Sequence, residues 1–128
     1  MAKKILQLIN HPYRATLEEQ DDTVLWLTHS LATQGAELSV VLQHGAVHYA
    51  IARQNAHGLK IGNWQQENPP DIVADLKALI TKKIAVYYIR EDFVSRGLTT
   101  EELIPDLKAI SRSDLATLMT EHDLVWSW

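Results

Sequence analysis

The sequence predicts a three-layer α/β/α sandwich, with helices on both faces of a mostly parallel sheet of about five strands. Short apolar segments alternate with segments of helical periodicity along the chain, which is typical of βαβ units with right-handed crossovers. The length of 128 residues and the hydrophobic fraction of 46% suit one core, and no linker or internal repeat divides the chain. We therefore expect a single domain over residues 1–128.

The first half of the chain predicts two pairs of a strand followed by a helix. Lys3–Asn10 is an apolar run suited to a strand buried on both faces, and Thr16–Gly35 has apolar residues at helical spacing. That helix begins on a capping-box pattern, a threonine followed three residues later by a glutamate, and ends on a glycine. Leu38–Gln43 is again compact and apolar, and the alanine-rich segment Gly45–Asn55 predicts a second helix.

A polar stretch separates these elements from the next pair. Residues 56–69 contain two glycines, end on the first of two adjacent prolines and show weak periodicity, which predicts a long loop. Pro70 suits the first turn of a third helix, whose apolar stripe runs to Ile80. Ile84–Ile89 is the strongest strand by β-branched and aromatic content, and Glu91–Arg96 predicts a short helix that ends on a glycine.

The remaining segments complete the alternation. Leu107–Ile110 predicts a short fourth strand, Ser113 caps a helix, and Leu124–Trp128 predicts a terminal strand. Strands and helices that alternate at these separations indicate a doubly wound sheet. The expected fold is therefore flavodoxin-like.

The composition excludes several classes of function. None of the 128 residues is a cysteine, which rules out thiolate metal sites, iron–sulfur ligation and a cysteine nucleophile within this sequence. The net charge is −4 and the basic residues are scattered, so we expect no direct binding of nucleic acid. No apolar run approaches the roughly 20 residues that span a bilayer, and the apolar stretch near the start is too short for a signal peptide. We expect a cytoplasmic protein that does not bind a membrane.

The loop after the first strand bears on cofactors. It contains no glycine between His11 and Thr16, so it lacks the backbone cradle that nucleotide and flavin phosphates require. We expect no cofactor. His44 and His48 lie one helical turn apart, a spacing that can place two imidazoles on one metal ion, but no third ligand is close in sequence. We therefore expect no metal site.

A candidate ligand site follows from the fold, because open parallel sheets bind ligands beyond the carboxyl ends of their strands. His11 and Arg14 follow the first strand, His44 follows the second, and Arg90 follows the strong strand. Arginine and histidine side chains suit carboxylate, phosphate or sulfur oxyanions. The alternative is that these residues are solvated loop positions or interface contacts, since strand-end loops are polar in any such fold.

Three tryptophans are candidates for an interface. Trp26 falls off the apolar stripe of its helix, and Trp126 and Trp128 alternate onto one face of the terminal strand. Tryptophans outside the core are frequent at interfaces. The alternative is that they cover the edge of the core.

Three segments resemble a known family. The segment YIREDFVSRGLTT, from Tyr88 to Thr100, the segment LSVVLQHGAVHYAI and the terminal LVWSW resemble the DsrE/DsrF/DsrH family, and most closely its DsrH (TusB-like) branch. The resemblance implies a flavodoxin-like fold, assembly into oligomers, and work in sulfur trafficking for tRNA thiolation or sulfur oxidation.

The resemblance also implies a departure from the sulfur-carrying members, in which a cysteine ends the central strand near the position of Ile89. Without a cysteine the chain cannot carry a persulfide, so it resembles the non-catalytic or partner-binding subunits of a sulfur-relay assembly. Its expected partners are further copies of itself and cysteine-bearing relay proteins. A cysteine introduced at position 89 is expected to lie in a strand-end crevice and to react near neutral pH. The alternative function is a small-anion or small-ligand binding protein, or an enzyme, that uses the His/Arg residues at the strand ends.

Overall fold

The structure is a computed structural model that describes residues 2–12, 22–54 and 57–128. Its strands are β1 (Lys4–Ile9), β2 (Glu37–Leu42), β3 (Lys60–Ile61), β4 (Trp64–Gln65), β5 (Ala85–Ile89), β6 (Lys108–Ile110) and β7 (Leu124–Ser127). Its α-helices are α1 (Thr23–Thr33), α2 (Ile72–Thr81), α3 (Arg90–Ser95) and α4 (Arg112–Thr120), with 3₁₀ segments at His44–Ala50 and Thr100–Glu102. None of the described helices is long and apolar enough to cross a bilayer.

Five strands form one sheet in the order β6-β5-β2-β1-β7, and every neighbouring pair is parallel. The chain builds outward from β1 through β2, β5 and β6, then returns to place β7 on the other side of β1. Because parallel crossovers are right-handed, the last connection lies on the opposite face from the earlier ones. The predicted flavodoxin-like fold with a five-stranded parallel sheet is confirmed.

The two faces of the sheet are covered unequally. The larger apolar cluster lies under α1, α2, α3 and the 3₁₀ segment His44–Ala50. The smaller cluster, on the other face, packs under α4 alone and comprises Leu6, Leu8, Val41, Ile89 and Leu115. Because side chains alternate along β1, this strand contributes to both clusters: Leu8 belongs to the smaller one and Ile9 to the larger.

Two predicted helices differ from the observed ones. The predicted helix over Gly45–Asn55 is instead a 3₁₀ segment that ends at Ala50. The capping box at Thr16 lies outside the described residues, and α1 begins after Asp22, whose carboxylate accepts from the N–H groups of Val24 and Leu25 at 2.9 and 3.1 Å. This carboxylate satisfies two of the donors that a helix start leaves free.

The predicted loop over residues 56–69 contains a small hairpin of β3 and β4 among its described residues. Gly62 has a positive φ of 59° at the turn, which glycine adopts without strain. The hairpin is closed by a hydrogen bond from the Gln66 N–H to the Leu59 carbonyl at 2.8 Å. Its apolar side chains point to solvent: Leu59, Ile61 and Trp64 are exposed. Two-residue strands are too short to show a period, so the sequence gives no hairpin signal beyond Gly62 and the asparagine after it.

Candidate functional site

The carboxyl ends of the strands form the rim of the candidate site. Asn10 follows β1, His44 follows β2 by two residues, and Arg90 follows β5 directly. Leu42 and Tyr88 are the last register partners of β2 and β5. The 3₁₀ segment that begins at His44 and the helix α3 that begins at Arg90 pack together. The structure therefore places two of the predicted rim residues at the starts of two elements that contact each other.

Asn10 ties three strands together at this rim. Its side-chain amide donates to the Ser127 hydroxyl at 2.8 Å and to the Trp128 carbonyl at 2.9 Å. Its side-chain carbonyl accepts from the Gln43 side-chain amide at 2.7 Å. With both polar ends of Asn10 engaged, this residue fixes the relative positions of β1, β2 and β7.

Asp92 is the centre of a second polar cluster, and its side chain is only 10% exposed. One carboxylate oxygen accepts from the backbone N–H of His44 at 2.7 Å, and the other is paired with the guanidinium of Arg112. The Arg112 N–H donates to the Glu91 carboxylate at 2.8 Å. The cluster joins the 3₁₀ segment after β2, α3 and α4, and a buried carboxylate held by charge-assisted bonds is a rigid group.

His44 has an unusual backbone for a residue with a side chain. Its φ is +52°, in the left-handed region that most residues avoid. The bond from its N–H to Asp92 holds this conformation. Its imidazole is exposed, with 55% of the side chain accessible, and its Nδ1 lies 3.9 Å from the Asp92 carboxylate. The Asp92 charge therefore lies against one side of the ring while the rest of the ring faces solvent.

The four predicted rim residues have different outcomes. His44 and Arg90 begin two elements that pack together, and His11 is exposed just after β1. Arg14 lies outside the described residues. Among the described residues, Arg112 is a cation that the Asp92 carboxylate engages. A carboxylate at this point opposes an anion next to His44, so the geometry favours a mixed-charge contact surface over a simple anion pocket.

Sequence reasoning did not select Asp92 and Arg112 as site residues. A signal for Arg112 was present, because it follows the end of β6 by two residues just as His44 follows β2. Asp92 also lies in the polar stretch that follows β5, but its importance comes from its contacts. Its partners lie 48 and 20 residues away along the chain, and no local pattern encodes such pairings.

Ile89 ends β5 and lies within the core. It is fully buried in the cluster that includes Leu8, Val41 and Leu115. A thiol at this position would be enclosed by aliphatic side chains, which disfavours the thiolate. This burial argues against a reactive crevice at position 89, and Arg90 is the first exposed position after β5.

The three tryptophans lie in different surroundings. Trp126 and Trp128 line an apolar groove of about 630 Å³ together with Leu27 and Leu31 of α1. The Trp128 indole N–H also donates to the side-chain carbonyl of buried Gln7 at 2.6 Å. Trp26 is 58% exposed. Their part in an interface stays a prediction.

Two other features of the described residues carry less chemistry. No group of three or more His, Asp or Glu side chains in the described part of the chain is placed to hold a metal ion. A cleft of about 560 Å³ lies at the opposite, amino edge of the sheet, and its lining includes Lys4, Lys82, Lys83, Glu37 and Glu121. With both signs of charge in its lining, this cleft does not select an anionic or a cationic ligand.

Comparison with known proteins gives a family and a fold. The model of the DsrE/DsrF-like family matches residues 3–126. The structure of the YchN protein from E. coli is similar, with 21% identity, full coverage of both chains and a TM-score of 0.72. A protein of unknown function, MTH1491 from Methanobacterium thermoautotrophicum, has 9% identity and a TM-score of 0.66, covering 98% of this chain and 99% of its own. None of the curated proteins is significantly similar to the chain.

Proposed function

Because the chain belongs to the DsrE/DsrF-like family, which is associated with sulfur relay, we propose that it is a thiol-free subunit that binds a cysteine-bearing relay protein at its carboxyl edge. One observation carries the proposal: the cluster of His44, Asp92 and Arg112 is rigid and partly exposed, immediately beyond a strand whose last residue is a buried isoleucine. The chain thus offers an ordered polar surface without a sulfur carrier of its own.

The cluster has the properties of a contact surface. The carboxylate of Asp92 is buried and doubly engaged, while the His44 and Arg112 side chains are 55% and 45% exposed. Side chains held in place before binding lose less conformational entropy when a partner arrives. Exposed charges at such a surface steer association and select the partner.

We also propose that the chain self-associates through the face that carries its tryptophans. The apolar groove lined by Leu27, Leu31, Trp126 and Trp128 lies beside β7, which is an edge strand without a charged residue. Edge strands in soluble proteins are normally protected by charge, proline or a covering element. A second copy would cover both the strand edge and the groove.

The partner proposal is tested by native-mass analysis of complexes that the tagged chain captures in its own cell. We expect capture of a protein with a cysteine that accepts persulfide. Arg90→Glu replaces a positive charge at the rim by a negative one. It should weaken capture at least tenfold, because the rim would no longer complement the charge of the partner's surface. Lys77→Glu, an exposed change of the same kind on α2, is the matched control and should leave capture unchanged. Capture of no cysteine-bearing relay protein would contradict the proposal.

The self-association proposal is tested by light scattering at tens of micromolar. We expect a mass that is a multiple of 14.5 kDa. Leu27→Lys places a charge in the groove and should shift the mass toward the monomer, since a buried unpaired charge is costly. A monomer for the unmodified chain would contradict self-association and leave the partner proposal standing.

A further inference from the structure

We infer that His44 is a proton acceptor for the partner's thiol. Its imidazole, which lies beside the Asp92 carboxylate, takes the proton from a cysteine brought to the carboxyl edge. This inference rests on the proposed function and adds a chemical role to it. The chain would then activate a thiol that it does not possess.

The backbone of His44 is the first observation behind this role. A φ of +52° places His44 in a conformation that glycine adopts most easily, yet the residue is a histidine. Residues held in sparsely populated backbone regions are concentrated at functional sites. The bond from the His44 N–H to Asp92 maintains the conformation. A glycine could adopt the same conformation but would not supply the exposed imidazole ring.

The charges around the ring are the second observation. The Asp92 carboxylate lies 3.9 Å from Nδ1, so a negative charge lies beside the ring that would accept the proton. Arg112 offsets part of this charge through its pair with the same carboxylate. Glu91 is bound to the backbone of Arg112. Arg90 begins α3, which packs against the 3₁₀ segment of His44, so it adds an exposed cation to the same edge.

The step itself is balanced without an oxidant or a reductant. The S–H bond of the partner cysteine breaks, and its proton binds the imidazole. The thiolate attacks the outer sulfur of an incoming persulfide, a new S–S bond forms, and the persulfide's own S–S bond breaks. The departing donor thiolate takes the proton from the imidazolium, so a persulfide and a thiol enter and a persulfide and a thiol leave.

The experiment places the thiol on the chain itself, so that it does not depend on finding the partner. Arg90→Cys introduces an exposed cysteine at the start of α3, which packs against the 3₁₀ segment of His44. A base beside a thiol raises the thiolate fraction at neutral pH, and the lower nucleophilicity of that thiolate offsets part of the gain in rate. We expect Arg90→Cys to react with a neutral disulfide about threefold faster than the exposed control Lys60→Cys.

The decisive comparison removes the imidazole from the variant that carries the cysteine. His44→Asn keeps a residue that tolerates the left-handed region, and in the Arg90→Cys background it should return the rate to that of Lys60→Cys. His44→Gly in the same background should also return the rate to that of Lys60→Cys. This double variant should unfold at the same urea concentration as Arg90→Cys alone, or at a higher one. Equal rates with and without His44 would overturn the inference, even if the partner is captured. Failure to capture a partner would overturn the proposed function but not an acceleration that depends on His44.

Discussion

At the level of single residues, two buried carboxylates hold separate parts of the chain together, which the net charge of the sequence does not reveal. Asp22 and Asp92 are both buried, and each receives hydrogen bonds from two different parts of the chain. Asp22 caps α1 and also accepts from the Tyr49 hydroxyl, which is itself buried. A buried group that is fully paired stabilises one arrangement of its neighbours, and its loss leaves unpaired partners.

Asp22→Ala should lower the free energy of unfolding by about 2–4 kcal/mol, the sum of a lost helix cap and a lost hydrogen bond from the buried Tyr49 hydroxyl to a carboxylate. Asp71→Ala is the matched control, because Asp71 caps α2 through the Ala74 N–H at 3.0 Å but is exposed. Its cost should be about 1 kcal/mol. Urea unfolding of both variants measures the difference. Equal costs would show that the Tyr49 contact contributes nothing.

Ile89→Cys should give a thiol that reacts slowly in the folded protein. The position is fully buried among aliphatic side chains, so the reagent has no access and the thiolate is disfavoured. Labelling in native buffer should be at least a hundredfold slower than for Arg90→Cys, and the two rates should converge in denaturing urea. Fast native labelling at position 89 would mean that the end of β5 opens to solvent.

At the scale of elements, sequence patterns located the strands well and the helix starts less well. The predicted strand segments overlap all five strands of the sheet, because apolar runs between turn residues are a local signal. The last helix begins after Ser111, whose hydroxyl accepts from the Asp114 N–H at 3.1 Å, and not after the predicted cap Ser113. Two serines two residues apart are equivalent in sequence, and only tertiary packing decides between them.

A buried network joins three elements and can be tested. Gln7 of β1 donates to the Thr28 hydroxyl of α1 and accepts from the Trp128 indole beside β7. Trp128→Phe keeps an aromatic ring but removes the donor, and should lower the free energy of unfolding by about 1–3 kcal/mol, the cost of an unpaired buried carbonyl. Trp126→Phe, in the same groove, should cost less than about 1 kcal/mol. Similar costs in thermal or urea unfolding would exclude a role for the network.

At the scale of the whole molecule, the fold brings together residues that the sequence only partly indicated. The rule that ligand sites lie at the carboxyl ends of parallel strands selects His44 and Arg90, and the structure places them at the starts of two elements that pack together. Asp92 and Arg112 also follow strands, but no local pattern encodes their pairing between α3 and α4. The position of these residues at the carboxyl edge was predictable, their pairing required the structure, and their part in binding a ligand stays a prediction.

We propose that this chain serves a sulfur relay through a partner's cysteine. The most direct test loads the captured complex with a persulfide donor and maps the added sulfur by mass spectrometry. We expect the mass of one sulfur atom on the partner's cysteine, none on this chain, and slower loading when the complex contains His44→Asn in place of the unmodified chain. Loading of the partner at the same rate with this chain removed would contradict the claim.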